Sequence, residues 1–143
     1  MQDRYERIPI IKLFGFLLVP LQGDVTDSLG DRLREEVLTR VHREAIQGVV
    51  LDVTGLWMVD SHLCATLSSI AEATALMGAK TFLTGLKPDI ALTLETMGLG
   101  LRGVTCCRSL EEALQAMGVR IIAADDDAPE EDVALSLMDL ESL

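Results

Sequence analysis

Residues 48–54 read Gly-Val-Val-Leu-Asp-Val-Thr, a nearly unbroken apolar run. Such a run belongs to a strand covered on both faces, as in the middle of a parallel sheet. Strands of that kind need helices to cover them, and the rest of the chain supplies helices in alternation. Over residues 24–45 the apolar period lengthens. Leu29, Leu33, Val37, Leu38 and Val41 recur at helical spacing, with Asp31, Arg32, Glu35 and Glu36 between them. This pattern predicts an amphipathic helix with one core face, capped by Thr26 or Asp27. A second helix is predicted over 61–77, anchored by Leu63, Leu67, Ile70 and Leu76, with Gly78 at the left-handed position that ends helices. Residues 79–85 read as a further buried strand. Lys87-Pro88-Asp89 then opens a third helix, because proline suits a first turn, and Gly98 ends it. Residues 103–107 form a last β run, Ser109 caps a helix over 110–117, and Gly118 stops it.

Ahead of these elements, residues 8–13 and 16–21 are two apolar runs around Gly15, the pattern of a hairpin. Pro9 and Pro20 lack an amide proton, so each is expected at a strand end or a sheet edge. The order is therefore β-β-α-β-α-β-α-β-α. Right-handed crossovers between successive strands give an α/β fold with a mixed, mostly parallel sheet of four to five strands and about four helices.

Length and charge bound the rest. The 143 residues suit one domain, placed at 1–122, followed by an acidic segment at 123–143. Net charge is −11, and residues 120–143 hold eight acids against the single Arg120. Asp125-Asp126-Asp127-Ala128-Pro129-Glu130-Glu131-Asp132 is a charge run, read as disordered because it carries too little apolar area to order itself. Deleting residues 124–143 is expected to change stability by no more than about 1 kcal/mol. A large fall in melting temperature would instead show Leu135, Leu137 and Leu140 docked on the domain. A negative surface without a basic stripe argues against nucleic acid as a partner. No apolar run reaches the roughly 18–20 residues that span a bilayer, and the N-terminus has no apolar signal segment. By elimination the cytoplasm is the expected location. Cys64, Cys106 and Cys107 lack the spacing of a metal clip and read as small buried hydrophobes in a reducing compartment. No metal and no cofactor is expected.

Few motifs carry chemistry. Gly98-Leu99-Gly100-Leu101-Arg102-Gly103 has the glycine pattern of a dinucleotide loop in reversed context, after a helix and before a strand. Its glycines read as a helix stop and turn residues. Asp60, Ser61 and His62 invite comparison with a hydrolase. Adjacent residues on a helix do not face each other, however, and no Gly-x-Ser-x-Gly elbow is present. The other histidine, His42, lies in the charged first helix. Asp52 ends a strand with no second acid near it in sequence. Asp60-Ser61 keeps two readings. One is a helix cap; the other is a phosphoacceptor whose charge of about −2 would sit at the positive end of a helix dipole.

The run from Gly48 through Asp52, Thr54, Met58 and Asp60 to Ser61 resembles the central strand and switch loop of STAS domains, the anti-sigma-factor antagonist family. Leu76-Met77-Gly78-Ala79-Lys80 and Thr84-Gly85-Leu86-Lys87-Pro88-Asp89-Ile90-Ala91 are similar to the corresponding segments of stressosome STAS proteins. Ile8-Pro9-Ile10-Ile11-Lys12 resembles the start of RsbS-type antagonists. The likeness covers roughly residues 6–118. It implies a non-catalytic scaffold of one STAS domain, forming STAS dimers and joining RsbR-type paralogues in a large hetero-oligomer. That shell would hold an RsbT-type switch serine kinase and release it on phosphorylation at Ser61. Asp60, Ser61 and His62 would make the partner surface. The absence of room for a sensor domain favours the RsbS role. Thr93 lies near the position where RsbR-type proteins carry a second phosphorylated threonine. His62 departs from the apolar or small residue usual after the serine. The alternative is a simple antagonist that binds an anti-sigma kinase, although such proteins often read Ser-Ser-Gly or Ser-Ala-Gly where this chain has Ser61-His62-Leu63. A small hydrolase is the third reading.

Overall fold

The structure, a computed structural model, describes residues 7–98 and 100–119; the acidic segment lies outside them. The elements are β1 (Ile11–Leu13), β2 (Phe16–Gly23), α1 (Asp27–Arg43), β3 (Gly48–Leu56), α2 (Ser61–Leu76), β4 (Lys80–Thr84), α3 (Pro88–Thr96), β5 (Val104–Cys107) and α4 (Leu110–Ala116). The strands form one five-stranded sheet in the order β1-β2-β3-β4-β5. β1 and β2 make the antiparallel opening hairpin, and the later pairs are parallel.

Side chains alternate across each strand, so the sheet buries two cores. Leu17, Val19, Leu21, Val49, Leu51, Val53 and Leu83 point to the face covered by α1 and α2, where they meet Leu33, Val37, Leu63, Leu67 and Ile70. Phe16, Val50 and Phe82 point to the other face, which α4 covers through Ala113. β3 has a strand on each side and a core on each face, as its composition requires.

Gly30 of α1 lies opposite Thr66 of α2, where a Cβ would meet Thr66 Cγ2 at 3.5 Å, an ordinary van der Waals contact. Between α2 and β4, Thr74 and Thr81 share a buried hydroxyl contact of 2.8 Å. Thr74 Oγ1 already donates its one proton to the Ala71 carbonyl at 3.0 Å, so Thr81 is the donor between the two. An asymmetry follows. Thr74→Val strands the buried Thr81 hydroxyl and is expected to cost about 1–3 kcal/mol, whereas Thr81→Val leaves Thr74 satisfied and should cost less. Denaturant unfolding of the two variants checks the order.

Three expectations need correction. Leu76 does not anchor α2: it is 91% exposed. The inward face of the helix runs through Ile70 to Thr74, and two further residues turn Leu76 about 200° away from it. Pro20 lies inside β2, which is not an edge strand. It pairs with Asp52 beyond the end of the three-residue β1, and the ladder shifts register between Pro20 and Gln22. The missing amide proton is thus accommodated where the hairpin partner has run out and the strand is irregular. Of the cysteines only Cys64 is buried; Cys106 is exposed on the edge strand β5 and Cys107 is half-buried.

Candidate functional site

The C-terminal ends of the parallel strands and the N-terminal ends of α1, α2 and α3 share one end of the domain. In open α/β sheets this is where ligands and partners are met. The connection from β3 to α2 is its most constrained part. Leu56 is fully buried, and Val59 packs against the larger core. Between them Trp57 is 80% exposed and Met58 58% exposed. Trp57 is nonetheless fixed, because its backbone N–H donates to the Gly23 carbonyl at 3.1 Å and so prolongs the β2–β3 ladder.

Asp60 follows with extended backbone and caps α2, its Oδ1 accepting from the Leu63 amide at 2.8 Å. Its carbonyl accepts from the Cys64 amide at 3.0 Å. The two remaining amides of the first turn, those of Ser61 and His62, have no partner inside the helix. Ser61 is the first helical residue and is exposed. Its neighbour His62 reaches across to α1, with Nε2 3.8 Å from Asp27 Oδ1 and 3.7 Å from Asp31 Oδ1. Asp24, Asp27, Asp31 and Asp60 are all exposed, so this end of the domain is acidic with one imidazole among the carboxylates.

Asp60, Ser61 and His62 do not form a Ser-His-Asp relay with one another. Among the described residues no hydrogen bond links Ser61 Oγ to His62. The imidazole faces α1, and Asp60 is engaged by the Leu63 amide. Cys64, one turn in, is held as a thiol: burial pushes its pKa up, and the charge of Asp60 adds to the effect. No cluster of three or more His, Cys, Asp or Glu side chains suited to a metal occurs among the described residues. No described helix is long and apolar enough to cross a membrane.

Asp60, Ser61 and His62 occupy the start of α2, the first as its cap and the other two exposed in its first turn. Thr93 does not join them. It is exposed in the middle of α3, with its hydroxyl donating to the Asp89 carbonyl at 2.9 Å. His42 lies in the last turn of α1. Asp52 serves its own strand, its Oδ1 accepting from Thr54 Oγ1 at 2.6 Å and from the Thr54 amide at 3.1 Å. The glycine loop follows α3 and leads into β5, with Gly98 and Gly103 at positive φ. Sequence reasoning missed the exposure of Trp57 and Met58, and the link from His62 to α1. The sequence gives no signal for the first, since Leu56, Trp57, Met58 and Val59 are all apolar and nothing in their order says which pair turns inward.

A STAS domain profile matches residues 7–113. The chain is 32% identical over 108 residues to the RsbT co-antagonist protein RsbRA of Bacillus subtilis, a match covering 75% of this chain and 39% of that protein. It thus spans about two fifths of the length of that relative. It is 31% identical over 91 residues to the uncharacterised protein YezB of the same organism, covering 64% of this chain and 93% of YezB. The fold matches a serine-to-glutamate variant of RsbS from Moorella thermoacetica with a TM-score of 0.69 at 32% identity, covering 78% of this chain and 95% of that one. The anti-sigma factor antagonist SpoIIAA in its unphosphorylated form shares the fold at a TM-score of 0.62 and 13% identity. By profile, sequence and fold, the chain belongs to the STAS domain family, as a homologue of the RsbR and RsbS stressosome proteins.

Proposed function

We propose that this protein is a non-catalytic stressosome scaffold that holds a switch serine kinase of the RsbT type and releases it once Ser61 is phosphorylated. The observation that carries the reading is the placement of Ser61. It is an exposed hydroxyl at the first residue of a buried-face helix, on a loop whose two ends are fixed. A kinase reaches such a hydroxyl without unfolding anything. The relatives support the class of partner, since RsbRA is named as a co-antagonist of RsbT. Asp60, Ser61 and His62 form the centre of the kinase-facing surface. The scaffold role implies STAS dimers and co-assembly with RsbR-type paralogues into a large cytoplasmic hetero-oligomer. Thr93 is the weaker candidate for modification, because its hydroxyl is already bonded to the helix backbone.

Incubation with an RsbT-type kinase and ATP, followed by phosphosite mapping, tests the assignment: phosphate is expected on Ser61. Phosphate elsewhere with Ser61 unmodified would return Asp60-Ser61 to the role of a helix cap. Size-exclusion chromatography with an RsbR-type partner tests the scaffold role, where particles well above a dimer are expected. A monomer indifferent to that partner would point instead to a simple anti-sigma-factor antagonist.

A further inference from the structure

Trp57 is the one tryptophan of a chain in which aromatic residues make up 3%, and it stands 80% exposed. Met58 beside it is 58% exposed. Isolated exposed apolar residues are ordinary, but an exposed tryptophan next to an exposed methionine is not. Nor is the pair a floppy tip. Leu56 and Val59 are held in the core on either side, the Trp57 amide is bonded to Gly23, and Asp60 caps the following helix. The backbone therefore presents two large apolar side chains in a fixed place, so that little ordering remains to be done when a partner covers them. Asp60, two residues beyond Met58, is exposed, and so is Asp24, next to the Gly23 that Trp57 bonds. An apolar centre within a polar rim is the anatomy of a protein interface, and tryptophan is the residue most enriched at its energetic centre.

We propose that Trp57 and Met58 are the apolar anchor on which the kinase that phosphorylates Ser61 docks. The inference rests on the functional reading above and adds residues to it. The occupant follows from continuity. Ser61 is four residues beyond Trp57, and the loop between them is tied at both ends, by the Trp57 amide and by the Asp60 cap. A kinase that brings its phosphoryl donor in line with Ser61 Oγ must cover this loop, and Trp57 and Met58 are the large apolar side chains it meets there. The same exposed pair at the far end of α2 would lack that argument. Leu76, which is 91% exposed there, supplies the control, roughly 22 Å from Ser61 along the helix axis.

The test uses the full chain with a purified RsbT-type kinase and an RsbR-type paralogue. Trp57→Ala and Met58→Ala remove exposed side chains, so both variants should keep the wild-type melting temperature within a few degrees. Trp57→Ala is expected to weaken kinase binding at least tenfold, as loss of an interface centre does, and to leave co-assembly with the paralogue intact. Leu76→Ala is expected to change neither. Emission from Trp57, read as wild type minus Trp57→Phe, should shift to the blue when kinase is added. A loss of kinase affinity below tenfold overturns the inference. So does loss of paralogue assembly in Trp57→Ala, which would place the pair in the contacts of the shell. Wild-type protein that is neither bound nor phosphorylated by the kinase overturns the functional reading, and this inference with it. Wild-type protein that is bound while Trp57→Ala binds equally well overturns the inference alone.

Discussion

Gly85→Ala is expected to cost about 3 kcal/mol or more of stability, the sum of a backbone term and a collision. Gly85 follows β4 directly, with φ at +79°, in the left-handed region that a side chain disfavours. A Cβ there would stand 1.9 Å from Thr54 Oγ1, 2.9 Å from Thr54 Cβ and 3.0 Å from Asp52 Oδ1. Rotating the threonine hydroxyl away would break its 2.6 Å bond to Asp52 and would still leave the Cβ contact, which no rotamer relieves. Gly78 separates the two causes. Its φ is +86°, yet a Cβ there meets nothing within 4 Å. Gly78→Ala should therefore show the backbone term alone, about 1–2 kcal/mol. Thermal unfolding of both variants decides the matter. Gly85→Ala should lower Tm by roughly 10 °C or more, and Gly78→Ala by clearly less. Equal losses would mean that the collision is relieved by a movement the static structure does not suggest. The effect should also reach Trp57 and Ser61, because Thr54 lies on β3, the strand that leads into them.

The second large effect is on binding. Ser61→Asp is expected to fold like the wild type and to hold the kinase poorly, whereas Ser61→Ala should hold it constitutively. Three buried residues, Leu63, Leu67 and Ile70, anchor α2 from its first turn, so an added charge at Ser61 has no reason to melt it. The helix dipole and the unpaired first-turn amides favour a phosphate by about 0.3–1 kcal/mol at an exposed site. Against that stand Asp60 on the same turn and Asp27 and Asp31 on the adjoining helix, with His62 between. In the free protein water screens this crowding. Inside a packed interface it does not, and a dianion there is expected to cost several kcal/mol, with each 1.4 kcal/mol a factor of ten in affinity. Calorimetric titration of the kinase into each variant reads the difference. A Ser61→Asp protein that binds like the wild type would remove repulsion as the release mechanism.

The elements of the fold were legible to within a few residues, because each carries its own period and its own stop. Thr26 caps α1 through the Leu29 amide and Ser109 caps α4 through the Glu112 amide, as short polar residues before apolar runs imply. The site was legible where it depends on chain neighbours: Asp60 and Ser61 at a helix start. It was not legible where it depends on contacts across the fold. His62 meets Asp27 and Asp31 only through the packing of α2 against α1, which brings together residues distant in sequence. Leu76 reads as core in sequence, since it is apolar and ends an apolar helix, and only the phase of that helix turns it out. Cys106 reads as buried from its residue type, and it is exposed on β5, the strand at the margin of the sheet.

That strand order bears on how the chain is made. Strand follows strand across the sheet as along the chain, so each βα unit adds to the margin left by its predecessor and none must be inserted between two strands already paired. Parallel sheets are ordinarily slow to form because their pairings are distant in sequence. Here every pairing is with the next strand, which keeps the closing loops as short as a parallel sheet allows. The domain is thus suited to growing from its N-terminal hairpin outward, each unit pairing with the strand already in place before it.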